Sequence, residues 1–485
     1  MSPTFSLPSR VHRQARPQAA SDSGWYAVYA TLLVAVVVGA PLVRAVSVGL
    51  SSPDVLPLLL DPPSALLPTV LVAALATASA VGGSAGPAVL NPFHTVHLGG
   101  NHLSRARTLL RPFLLSAGLL MAACGLVAGT VAWTLWRVHA IDALVGASML
   151  LVTVCAAWLC SVVWLAGQAC SVRARTVLVL AAAVAAATVP LLPIPWSTPV
   201  GTVTWTVSAA LSCLAVPRLL VRLRGGDLLT HARRRDLARA AGASGEVGQA
   251  LATFRPLPRV GRRLDAVRTS GLFLLTIVRR DLIGALRTPT RAVVGALGIV
   301  ASGLLLVLAL DLPAAVLWPP AAAAAVVGFA SLGVVSDGFR YAAEGAGRPP
   351  LHGVTPAGLM TAHGALPGLL VVLASACASV CGVLAGASAA AIPLVFVCSA
   401  LLVLVRACDS ARGPLPVRLL TPVQSPVGDF AGAVVVLWQV EALVLSLVLT
   451  IGLAYAVSAT PWALGSAPLI AAVLVLRTRR RLRAE

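Results

Sequence analysis

The sequence predicts an all-α fold, a polytopic transmembrane helix bundle of about twelve spans in two parallel six-helix pseudo-repeats. Three observations predict it. Apolar stretches long enough to cross a bilayer run through the whole chain, arginines gather in alternate gaps between them, and the order of spans and loops recurs after mid-chain. The 485 residues are 58% hydrophobic and only 11% charged, and the mean hydropathy is +0.92. That leaves too little polar surface for a soluble domain.

The first apolar stretch, 27–43, follows Arg10, Arg13 and Arg16. It is longer than the apolar region of a secretory leader and ends at Arg44 without a small-residue cleavage site, so it reads as an uncleaved span. The others in the first half are 65–81, 113–135, 141–165, 176–192 and 200–220. The second half supplies 292–310, 318–335, 365–384, 389–405, 430–455 and 462–476. Each half runs as one span, a short loop rich in Pro and Asp, a second span, a long loop and four further spans. An even number of spans per half makes the repeats parallel.

Orientation follows from the charges. Arg105, Arg107 and Arg111, Arg173 and Arg175, the central arginines, Arg340 and Arg348, and Arg406, Arg412 and Arg418 all fall on one side with the basic tail. The opposite gaps hold Asp54, Asp61, Asp142 and Asp311, with Arg137 and, near the edge, Arg44. The positive-inside rule then places both termini in the cytoplasm and the chain in the cytoplasmic membrane. The expected division is a cytoplasmic segment 1–24, a six-span half 25–221, a basic cytoplasmic linker 222–291, a second half 292–476 and a basic tail 477–485. Within the linker, 227–241 reads as a polar helix. In 271–287, GLFLLTIVRRDLIGALR, Leu275, Val278, Leu282 and Leu286 recur at helical spacing beside Arg279, Arg280 and Arg287, as in a helix lying in the membrane interface.

Composition excludes several functions. All 36 basic residues are arginine, which together with abundant Ala and Val points to a GC-rich, actinobacterial genome. The net charge of +20 belongs to span flanks facing anionic lipid of the bilayer rather than to a nucleic-acid surface. The nine cysteines lie in or beside apolar spans with no CxxC pair, as small hydrophobes rather than metal ligands or disulfides. His94, His97 and His102 lack a nearby carboxylate or thiolate and make a poor metal site. No Ser/His/Asp, paired-carboxylate or metal constellation emerges, so the chain does not read as an enzyme.

Two loops are too long for turns, 86–112 and 336–367, each following the second span of its half and ending at a proline expected to open the third. Their residues Gly86, Pro87, Arg105, Arg107, Arg111, Asp337, Arg340, Glu344 and Arg348 are candidate docking positions. The layout, with Gly86-Pro87, LLRP at 109–112 and VRRDLIGALRTP at 278–289, resembles the membrane subunit of type-2 ABC exporters. It resembles still more an uncharacterised actinobacterial family of permease-like membrane proteins that look like two such halves fused. One departure is the stretch 99–105, GGNHLSR, which lacks the proline expected before LLRP.

The resemblance implies an exporter permease coupled through those loops to an ABC-type ATPase, two copies of it, one per half. No GxxxxGK[ST] motif occurs in this chain, so ATP would be bound by the partner and no cofactor by the permease itself. Gly333 to Arg340, GVVSDGFR, is similar to the inner-loop signature of major facilitator transporters. That keeps open a proton-coupled secondary transporter, and a non-transporting membrane scaffold is a third reading. Glu441, beside Gln439 on another helix face, is a carboxylate expected deep inside a span, and it is either a packing residue bonded to a neighbouring helix or a polar point on a substrate or proton path. Spans so poor in charge suit lipids or hydrophobic compounds better than ions.

Overall fold

Leu- and Ala-rich segments give up little rotamer freedom in a helix, and in hydrocarbon each backbone amide must be satisfied within its own segment. The computed structural model describes residues 35–60, 66–99, 104–188, 199–243, 247–255, 272–346, 353–384, 386–413 and 431–484, together with isolated residues elsewhere. It is helical almost throughout. Among the described residues the only strand pairing is a two-residue hairpin, Gln424–Ser425 with Gly428–Asp429.

The helices used below are α1 Ala40–Leu50, α2 Leu66–Gly82, α3 Pro92–Gly99, α4 Arg105–Arg137, α5 Ala143–Ala169, α6 Val172–Thr188, α7 Pro199–Cys213, α8 Ala215–Arg222 and α9 Gly225–Ala243. There follow α10 Phe273–Leu286, α11 Pro289–Asp311, α12 Trp318–Val335, α13 Asp337–Glu344, α14 Pro356–His363, α15 Ala365–Leu384, α16 Ala391–Ser410, α17 Ala431–Ala459 and α18 Ala467–Ala484.

Among the described residues, eight helical segments are long and apolar enough to cross a membrane: α4, α5, α11, α12 with its leading turn, α14 with α15, α16, α17, and α18 with its leading turn. This is the architecture of a multi-pass membrane protein. The four remaining expected spans differ in kind. Segment 27–43 falls partly outside the described residues, α2 holds a shorter apolar helix, α6 ends at Thr188 before undescribed residues, and α7 with α8 makes one apolar pair bent by 41°.

Residues 1–61 with 125–150 form one compact unit, and residues 62–124 with 151–485 form another. In the first unit α4 closes on His139, whose φ of 55° is left-handed. The Ala140 amide there donates to the Leu135 carbonyl at 2.9 Å, a Schellman-type cap that satisfies a terminal carbonyl. Trp133 and Trp136 lie nearby with ring centroids 5.2 Å apart, and tryptophans are enriched at membrane boundaries.

In the second unit α2 packs on α6, while α12 packs on α17. In the order of the twelve apolar segments, these are the second and fifth of each half. A core of Leu306, Leu317, Leu394, Val395, Leu401 and Ala454 joins α11, α12, α16 and α17. The two sequence halves meet where α6 packs on α11, and the Thr176 and Thr290 hydroxyls lie 2.7 Å apart.

Two glycines set the closest helix approach in the first half. A Cβ on Gly82 would collide with the backbone of Trp164, Gly167 and Gln168, and one on Gly167 with that of Ser79. Gly118, also helical, faces open space. Backbone cannot move aside as a side chain can, so Gly167→Ala is expected to destabilise by about 1–3 kcal/mol. Gly118→Ala is expected to be neutral or stabilising by up to about 1 kcal/mol. Melting temperatures of the two variants in detergent measure the difference, and equal values would show that the helices do not touch there.

Candidate functional site

The described residues of both long loops include helices. The expectation that a proline opens the third span is corrected in the first half, where Pro112 lies inside α4, which begins at Arg105, whereas Pro367 stands in the first turn of α15. The buried stripe of Leu109, Phe113 and Ala117 packs against Leu165, Leu220 and Leu223, and it carries the helix back through the arginines.

The first loop is pinned by its backbone. Gly86 accepts from Arg235 Nη2 at 3.0 Å, and Pro87 accepts from Ser116 Oγ at 3.0 Å. Ala88 is held on both sides by Gln168, its amide donating to Oε1 at 3.2 Å and its carbonyl accepting from Nε2 at 3.3 Å. Gln168 Nε2 also lies 3.4 Å from His231 Nδ1, and His231 Nε2 is 3.3 Å from the Gly83 carbonyl. The neutral ring with its proton on Nε2 satisfies both contacts. Burial pushes the His231 pKa down to about 4, helped by the charges of Arg234 and Arg175 and opposed by the Gly83 hydrogen bond and Asp227.

Arg105 donates to the Leu223 carbonyl at 2.5 Å, so it ties the start of α4 to the end of α8, while Arg107 and Arg111 are exposed. Within α3, the Asn91 side chain caps the helix by accepting from the His94 amide at 2.7 Å, and it also contacts the His94 ring at 2.8 Å. His97 packs on Phe93 at 4.2 Å, and His102 lies outside the described residues. No metal-binding group of three occurs among the described residues. Phe93 and Val96 face outward.

The second loop makes α13 and α14. One face of α13, Phe339, Ala342 and Ala343, is buried with Met360, Ala407, Ala411 and Leu482, and the other exposes Arg340, Tyr341 and Glu344. Arg340 pairs with Glu344 at 2.9 Å. Asp337 is shared between Arg291 at 2.7 Å and Arg255 at 2.9 Å. Arg348 lies outside the described residues.

Beside α13 is a cavity of about 210 Å³, lined among others by Arg280, Asp281, Arg291, Asp337, Tyr341 and His363. His363 is fully buried, its Nδ1 is 2.6 Å from Asp281 Oδ2, and its Nε2 has no hydrogen-bond partner. Arg280 lies 4.0 Å over the Tyr341 ring. Sequence reasoning singled out Asp337 but not the rest of this cluster, because its residues come from four separate helices. The one local signal was the Thr355-Pro356 helix start, where Thr355 caps Gly358.

Glu441 lies in the first half of α17, beside arginines of α18. Its carboxylate bonds Arg477 and Arg481 of α18, the latter at 2.9 Å. Arg481 also donates to the Cys408 carbonyl at 2.9 Å, and Arg412, just past α16, donates to the Trp438 carbonyl one turn before Glu441. The expected tail is therefore helix, continuing α18 to Ala484 and docking on α16. Gln439 is half-buried on another face of α17.

No protein-family model, no curated protein and no solved structure matches the chain.

Proposed function

We propose that the chain is the membrane-spanning permease subunit of an ABC-type exporter, built of two fused six-span halves with both termini cytoplasmic in the cytoplasmic membrane. The observation that carries this reading is the matched pair of loop platforms. In each half the segment after the second apolar helix forms a short helix held to the bundle and exposed on its free face: α3 with Phe93 and Val96, α13 with Arg340, Tyr341 and Glu344. Rigidly mounted helices are what a partner needs to move the spans behind them, since a flexible loop transmits little force. The repeated packing of second on fifth helix supports the two-half arrangement.

The platforms would each receive one ATPase subunit, with ATP bound there and not on this chain. The apolar stripe of α10, Leu275, Leu282 and Leu286, is exposed just before Pro289 opens α11, which suits a helix lying in the membrane interface. Glu441 is tied to two guanidiniums, and a carrier that must take and release a proton would break both ties in every cycle. This favours the ATP-driven reading over the proton-coupled one.

Because both loops contribute buried residues, their surfaces are the right target for a test. Phe93→Asp with Val96→Asp on one platform and Arg340→Glu with Glu344→Arg on the other should each abolish co-purification of an ATP-hydrolysing partner while leaving the melting temperature within about 2 °C. Undiminished co-purification by the combined variant would remove this reading.

A further inference from the structure

We infer that the cavity between α10, α13 and the end of α14 is a binding site for a phosphate group. Its charges decide the sign of the ligand. Asp281 is engaged by His363, and Asp337 is engaged by Arg291 and Arg255. Arg280, by contrast, has no carboxylate partner among the described residues; its guanidinium lies over the Tyr341 ring, which leaves its N–H donors unused. The lining thus presents a guanidinium without a carboxylate partner among the described residues, and a phenol hydroxyl beside it.

A guanidinium fork with an adjacent hydroxyl donor matches a tetrahedral oxyanion. At about 210 Å³ the cavity is smaller than the roughly 300 Å³ at which sites for whole organic ligands begin. It fits one group of a larger molecule or a small free ion.

Its surroundings bear on the source. α10 exposes Leu274, Leu275, Leu282 and Leu286, and the chain enters an apolar span at Pro289. A phospholipid headgroup would lie at that level, and a soluble phosphate could reach the same donors from water. The site does not depend on whether an ATPase docks on α13.

The test uses the full-length protein in detergent and in lipid nanodiscs. Inorganic phosphate is titrated against the melting temperature with sodium chloride at matched ionic strength, and nanodiscs with and without phosphatidylglycerol are compared by melting temperature and by native mass spectrometry for retained lipid. The variants are Arg280→Gln and Tyr341→Phe, with Arg279→Gln as a control that removes the same charge from the neighbouring position on α10, outside the cavity lining. Wild type and Arg279→Gln should be stabilised by at least one probe, with apparent affinity weakened about tenfold or more in Arg280→Gln. A response to phosphatidylglycerol alone assigns a lipid headgroup, and one to inorganic phosphate assigns a free ion. The inference is overturned if neither probe stabilises wild type, or if Arg279→Gln loses as much as Arg280→Gln.

Discussion

Replacing Glu441 with glutamine will lower the stability of the folded protein by about 1–3 kcal/mol, between the values for exposed and for fully buried ion pairs. The carboxylate joins α17 to α18 through Arg477 and Arg481. Their exposures differ, 45% for the Arg477 side chain and 21% for Arg481, so the loss should come mainly from Arg481. Arg477 can turn to water or headgroups, whereas Arg481 is already fixed by the Cys408 carbonyl. Arg481→Leu in the glutamine background should recover part of the loss, because it removes the guanidinium left without its counter-charge.

Thermal unfolding of the four proteins in one detergent gives this double-mutant cycle, and additive losses would show that the two residues do not interact. The same variant bears on transport. If Glu441 is a tie between helices, export by Glu441→Gln should fall only in proportion to folded protein. A variant present at wild-type level that exports nothing would favour a proton carrier instead.

The residues that made the spans legible are those whose signal is local. Apolar segments such as 292–310 and 365–384 are found in the helices α11 and α15, because span length is a property of the segment itself. The loops were less legible. Pro112 and Pro367 carry the usual sign of a first helical turn, and Pro367 does stand in the first turn of α15, yet α4 extends upstream of Pro112 through tertiary packing of Leu109 and Phe113. The partners of Glu441 are 36 and 40 residues away. Only their i, i+4 spacing on the last helix hinted that both could face one carboxylate. Gln168, the residue that grips the first loop, looks in sequence like one polar residue at the end of an apolar run.

Acid should release that grip. His231 is buried as the neutral ring with a pKa near 4, against an ordinary value of 6.5. The unfolded chain therefore binds a proton more readily than the folded one, so folding loses stability as pH falls. The contribution is fully present above about pH 6.5 and declines toward pH 4, by about 3 kcal/mol at its limit, since one pKa unit corresponds to about 1.4 kcal/mol. The geometry gives the same sign: protonation would turn Nδ1 into a donor facing the Gln168 amide group, which is itself a donor committed to Ala88. Melting temperatures of wild type between pH 7.5 and pH 4.5 should drop more steeply than those of His231→Gln, which keeps hydrogen-bonding capacity but cannot titrate. The variant should start lower at neutral pH and lose less on acidification. Parallel curves would mean that His231 is hydrated or already open to solvent, and that the first loop is held by Arg235, Ser116 and Gln168 without it.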